Sequence, residues 1–104
     1  EEAPVVVVVC ADEDRSSQRY GRRGKSLYCI QDTAAATQNM LLTAYSLGLG
    51  TCWVGAFQEE RARDALNIPV GVRPVALVPL GYPATSPSSR RKRPVEEIVH
   101  HETY

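Results

Sequence analysis

Gln31-Asp32-Thr33-Ala34-Ala35-Ala36-Thr37-Gln38-Asn39-Met40-Leu41-Leu42 interleaves small apolar residues with polar ones. It sits inside a helical pattern running from about Leu27 to Leu47, with Gly48 as a natural C-terminal stop. Ala34, Ala35, Ala36, Met40, Leu41, Leu42, Ala44, Tyr45 and Leu47 place apolar surface on several sides. A helix apolar nearly all round belongs in an interior or an interface. Small side chains let another helix approach closely, and Gln31, Gln38 and Asn39 can bond across such a contact. Core packing explains the alanines better than it explains the amides.

Outward from this helix the chain alternates between strand and helix signals. Val5 to Val9 is an unbroken valine run closed by Cys10 and Ala11. β-Branched residues without alternation predict a strand covered on both faces, hence a central one. Ala11 to Gly24 is polar and reads as a surface loop. Beyond the helix, Thr51 to Val54 reads as a short strand or an extended loop, ended by Gly55. Gln58 to Leu66 reads as an amphipathic surface helix with Ala62, Ala65 and Leu66 inward. Asn67, Pro69 and Gly71 break the chain before a second buried strand, Val75 to Leu80. Pro74 and Pro79 confine that strand to positions that can spare a donor. Tyr82 to Ser89 is rich in Pro and Ser and reads as an irregular connection, and Pro94 to His100 is too short to classify. One substantial helix cannot cover both faces of a sheet, and it carries more apolar surface than one face can hide. A partner subunit or further chain is expected to cover the remainder.

Composition narrows the class. The 104 residues carry 12 basic and 12 acidic side chains, with 43% hydrophobic and 23% charged residues. That balance fits one soluble globular domain and excludes disordered, collagenous and disulfide-rich classes. No apolar run reaches the roughly 20 residues of a membrane span. Neutral net charge gives no global reason to expect nucleic acid or an anionic membrane. Cys10, Cys29 and Cys52 are odd in number and widely spaced, which predicts reduced thiols in a cytoplasmic protein rather than a disulfide or zinc framework.

Few segments carry chemistry. Leu47-Gly48-Leu49-Gly50-Thr51-Cys52-Trp53-Val54-Gly55 holds three glycines in nine residues, which suits a helix cap with a bulge, or backbone approaching a flat ligand. Arg90-Arg91-Lys92-Arg93 precedes Pro94 and can clamp a phosphate, form a nucleic-acid patch, or stay solvated. The earlier basic stretch, Arg15 to Lys25, is offset by Asp12, Glu13 and Asp14, so a solvated face is the expectation. No nucleophile motif, metal spacing or glycosidase-like carboxylate pair stands out, and His100 and His101 lie near a terminus.

Taken in order, these segments resemble the C-terminal half of the FMN-dependent nitroreductase family over nearly the whole chain. The carriers are the valine strand after Ala3-Pro4, the Gln31 to Leu42 helix, the Leu47 to Gly55 segment, Pro79-Leu80-Gly81-Tyr82-Pro83, and the basic stretch before Pro94-Val95-Glu96-Glu97. The resemblance implies an α+β, three-layer FMN-binding fold with a mixed or antiparallel sheet and a long buried helix in a homodimer core. It implies FMN as cofactor, NAD(P)H as electron donor, and ping-pong hydride transfer to nitroaromatic, quinone or related acceptors. Carried over by position, Cys52, Trp53, Val54 and Gly55 match the segment along the flavin ring, with a backbone N–H of Val54 or Gly55 at its N5 edge. Arg90 and Lys92, at the fourth and second positions before Pro94, match the phosphate-holding basic residues. The family's N-terminal Arg-rich helix and its Pro-Ser…Asn…Gln-Pro-Trp segment have no counterpart, so residues 1–104 are expected to be the second half of a domain. Two other readings stand beside this one. One is a flavin-free dimeric interaction module that keeps only the helix interface, and the other is a nucleic-acid binder acting through Arg90 to Arg93.

Overall fold

A computed structural model describes residues 3–104. Three strands form one antiparallel sheet in the order β1-β3-β2. The elements along the chain are β1 (Val5–Asp12), α1 (Glu13–Arg23), a π-helical turn (Gly24–Tyr28), α2 (Cys29–Ser46), β2 (Gly50–Thr51), α3 (Glu59–Leu66), β3 (Val72–Gly81) and a 3₁₀ turn (Val95–Glu97). The α+β class and the antiparallel sheet agree with expectation.

The valine run forms the expected strand, but β1 lies at the sheet's edge and β3 takes the centre. Alternation along β3 puts Pro74, Ala76 and Val78 on one buried face, and α2 lies against all three strands. On β1, Ala11 is fully buried while Val5 and Val6 stay about half exposed. Double cover of β1 is therefore absent among the described residues. As expected from its surplus of apolar surface, α2 buries only Cys29, Thr37 and Ala44 and leaves Leu42 and Tyr45 exposed. The Cα radius of gyration is 16.8 Å, against about 13 Å for a compact chain of ~100 residues.

Two prolines sit in a central strand, and the register explains how. Val9 pairs with Ala76 but Cys10 pairs with Pro74, so Val75 is an unpaired bulge residue beside Pro74. Pro79 belongs to the other edge. Gly50 pairs with Gly81, Thr51 with Leu80, and Val54 with Leu77, so one constant register runs through the gap. That register sets Cys52 opposite Pro79, which has no N–H to donate. The ladder stops at Thr51 and resumes at Val54, where two hydrogen bonds of 2.9 and 3.0 Å join it to Leu77. The short strand and the extended loop expected for residues 51–54 are thus one strand interrupted by a missing donor.

The helix ends follow local chemistry. Gly48 takes φ +76° after α2. Its N–H bonds to the Tyr45 carbonyl at 3.0 Å and that of Leu49 to Ala44 at 2.9 Å, a Schellman stop. Asn67, at φ 52°, ends α3 in the same left-handed conformation. In α3, Ala62 and Arg63 are the half-buried side, whereas Ala65 and Leu66 are exposed, correcting the inward assignment of both. The Arg63 guanidinium is drawn in because it donates to the carbonyls of Pro69 and Val72, each at 2.9 Å.

The expected loop from Ala11 to Gly24 is the largest correction, because β1 continues to Asp12 and α1 follows immediately. Polar composition hides this helix from a periodicity argument, yet its start carries a chemical signal. The Asp12 carboxylate accepts the Arg15 N–H at 2.9 Å, with Glu13 and Asp14 in the first turn favouring the helix dipole. Gly21 breaks the helix at φ 59°. Gly24 is buried against the preceding turn, where a Cβ would meet the Ser16 carbonyl and lie 2.9 Å from the Tyr20 Cβ.

Candidate functional site

The ends of all three strands converge on an open groove of about 590 Å³. Pro4 leads into β1, Gly81 closes β3, and Gly50 opens β2, with Cys52, Pro79 and Pro83 completing the wall. Its lining among the described residues carries no charged side chain. Gly81 allows the walls to close: a Cβ there would lie 2.8 Å from the Pro4 ring. The same holds at Gly50, where a Cβ would lie 3.1 Å from Pro83.

The structure brings the sequence-predicted residues together only in part. Cys52 lines the groove. Trp53 stands beside it, 41% exposed, and Gly55 is open, with no atom within 4 Å of the place a Cβ would take. Val54 is tied down, its N–H given to Leu77. Neither the Trp53 nor the Gly55 N–H makes a backbone hydrogen bond among the described residues. Of the two donors expected to reach a ligand, Gly55 is therefore the available one. Trp53 joins it, a donor that spacing alone did not single out.

Arg90 and Lys92 lie elsewhere, exposed on the segment without regular structure that follows Tyr82, and neither lines the groove. Arg93 is committed: it donates to the Glu97 carboxylate at 3.2 Å and the Glu97 carbonyl at 2.9 Å. Arg90, Arg91 and Lys92 make no ion pair among the described residues. The structure thus separates the neighbours that the spacing left equivalent.

Perturbed ionisation lies away from the groove. The hydrogen-bonded Arg73 guanidinium, 2.8 and 3.0 Å from Glu59, holds that carboxyl below its ordinary value and is itself raised in return. Burial pushes the Cys10 thiol up, with Arg63 opposing it. Both couple α3 to the sheet. No cluster of three or more metal-ligating side chains occurs among the described residues. No described helix is long and apolar enough to cross a membrane.

An antiparallel sheet with one long helix across it defines an α+β fold. The chain belongs to the nitroreductase family, whose model matches residues 1–82. It is similar to the oxygen-insensitive NADPH nitroreductase of Salmonella typhimurium, with 35% identity over 104 positions, covering 93% of this chain and 43% of that protein. It is also similar to the FMN reductase (NADPH) of Bacillus subtilis, at 29% identity covering 93% and 44% respectively. Among solved structures, a nitroreductase family protein of Clostridium difficile 630 superposes with a TM-score of 0.85 at 33% identity, over 98% of this chain and 61% of that one. The chain spans less than half the length of these curated relatives. The family match ends at residue 82, so Arg90 and Lys92 lie beyond it.

Proposed function

We propose that residues 1–104 form the C-terminal half of an FMN-dependent NAD(P)H oxidoreductase domain. The observation that carries this reading is the family match across residues 1–82, and the unpaired backbone N–H groups of Trp53 and Gly55 are compatible with it. The residues present fit a flavin. The open space over Gly55 admits a flat ring without Cβ interference. Three cations free of ion pairs suit a phosphate. Bound FMN supplies ping-pong hydride chemistry through N5, from reduced nicotinamide to a nitroaromatic, quinone or related acceptor.

This chain's own residues hold and orient. Gly55 N–H serves a ring-edge acceptor, Cys52 and Trp53 flank the ring, and Val54 fixes the segment to Leu77. Arg90 and Lys92 neutralise the phosphate. None of them takes part in bond making, so the residues are binding groups and no catalytic side chain is assigned. A homodimer belongs to the same proposal, because the exposed stripe of α2 bearing Leu42 (58%) and Tyr45 (82%) needs cover. So does a cytoplasmic location, since Cys10, Cys29 and Cys52 are free thiols.

The test is direct: purified protein titrated with FMN should show a red-shifted, structured flavin spectrum and quenched fluorescence. A chain that dimerises yet leaves FMN fluorescence untouched is instead the flavin-free interaction module. Binding to single-stranded DNA that falls steeply with salt would favour the nucleic-acid reading.

A further inference from the structure

A second cavity, about 300 Å³, opens between α1 and the start of α2, with chemistry opposite to that of the groove. Its lining includes Arg15, Ser16, Arg19 and Tyr20 from α1 and Asp32 and Thr33 from α2. These positions recur at helical spacing, so each helix turns one polar stripe into the space between them. The sequence suggests that nearby acids neutralise the arginines, yet of these only Asp12 lines the cavity, where it is occupied as the helix cap. Glu13 and Asp14 approach Lys25, each at 3.9 Å, and Asp12 caps the helix. Arg15 and Arg19 have no ion pair among the described residues. One turn apart on a helix, two like charges repel and gain nothing without a counter-anion.

Several contacts fix this wall in place. Tyr20 meets Tyr28 edge-on at 5.4 Å, the Arg19 guanidinium lies 5.6 Å over the Tyr20 ring, and Gly24 seats the turn against Ser16. Asp32 lines the cavity from α2 and accepts no hydrogen bond among the described side chains. A site with two free cations, an exposed phenol ring and an acceptor carboxylate matches a phosphorylated nucleoside. The cations take phosphate and the carboxylate takes ribose hydroxyls. Polynucleotide is disfavoured, because Asp12 and Asp32 would repel a continuous polyanion. The volume lies at the lower end of ligand pockets, which suits half a dinucleotide rather than the whole.

We propose that this cavity holds the phosphate-bearing adenylate end of the nicotinamide donor. The assignment rests on the oxidoreductase reading above for the identity of the ligand, but not for the chemistry of the pocket. Isothermal titration with 2′-phospho-ADP-ribose, which lacks the nicotinamide, tests it on the intact chain. Wild-type protein should bind this fragment, and Arg15→Gln/Arg19→Gln should weaken it by about 10–100-fold through loss of charge-assisted bonds. Asp32→Asn should weaken it less. Both arginines are exposed and neither lies on the segment proposed to hold the flavin, so FMN affinity should stay unchanged in the double variant. In turnover, the KM for NADPH should rise while that for reduced nicotinamide mononucleotide stays constant. Equal fragment affinity in wild type and the double variant, or none in wild type at millimolar concentration, overturns the assignment. Fragment binding without FMN binding overturns the oxidoreductase reading and leaves a nucleotide pocket standing.

Discussion

Two basic stretches of similar composition end up in different physical settings. Arg15 to Lys25 rides on a capped helix where Arg19 and Arg23 lie over tyrosine rings and Lys25 approaches Glu13 and Asp14. Arg90 to Arg93 lies on an exposed segment without regular structure, tethered only where Arg93 reaches Glu97. The first offers charge in a fixed geometry with most of its ordering cost already met. The second must order itself around whatever it binds, which costs roughly 1–2 kcal/mol per backbone residue fixed. Local charge density therefore says little about recognition until the backbone beneath it is known.

The contrast breaks most sharply at Lys92. Lys92→Ala should weaken FMN by about 1.5–3 kcal/mol if the ammonium makes a charge-assisted phosphate bond. Fluorescence titration showing unchanged affinity would assign the phosphate elsewhere and reduce this stretch to a solvated face. On the rigid side, Gly24→Ala should cost about 1–3 kcal/mol, because the new methyl drives into the Ser16 carbonyl. A denaturation midpoint equal to wild type would mean that the turn has room to spare. Asp12→Ala removes the cap of α1 and should cost about 1 kcal/mol. Its loss should show as faster amide exchange at Glu13 to Arg15 while residues 90–93 stay unaffected.

The smallest effect concerns pH. Glu59 has a depressed folded value, so its contribution is present above the ordinary 4.5 and is lost as pH falls through the lowered value. The pair is substantially exposed, at 45% and 40%, so screening limits it to about 0.2–1 kcal/mol. Urea midpoints of wild type and Glu59→Gln should differ at pH 7 and converge once the pH has fallen through the lowered Glu59 value. A gap that persists at low pH would assign the stabilisation to packing instead.

Legibility in the sequence followed the apolar signal. α2 and its Gly48 stop, the Val75 to Leu80 strand and the irregular tail were readable because periodicity, glycine and proline mark them directly. α1 was not, since a helix of Glu, Asp, Arg, Ser and Gln has no apolar face to reveal it. Its signals are the Asp12 cap and the acids behind it. The valine run announced a strand but misled about position, because β-branched content favours a strand without saying which neighbours flank it. In this chain alone the outer edge is open. The ligand-facing segment was legible as Leu47 to Gly55. Which of its donors is free was not, because the answer depends on Leu77 and Pro79, more than twenty residues away.

Pro79 has a consequence for how the sheet breathes. A single absent N–H divides a five-residue edge strand into two pinned ends and an unpinned middle. Amide exchange along it should be a mosaic: slow at Val54, which Leu77 protects, and fast at Trp53 and Gly55, which make no backbone hydrogen bond among the described residues. Opening the middle breaks no sheet bond, so a ligand can draw those amides toward itself at little cost to global stability. The strand behaves as a hinge-free clasp, rigid where it is anchored and compliant over the residues proposed to touch the ring.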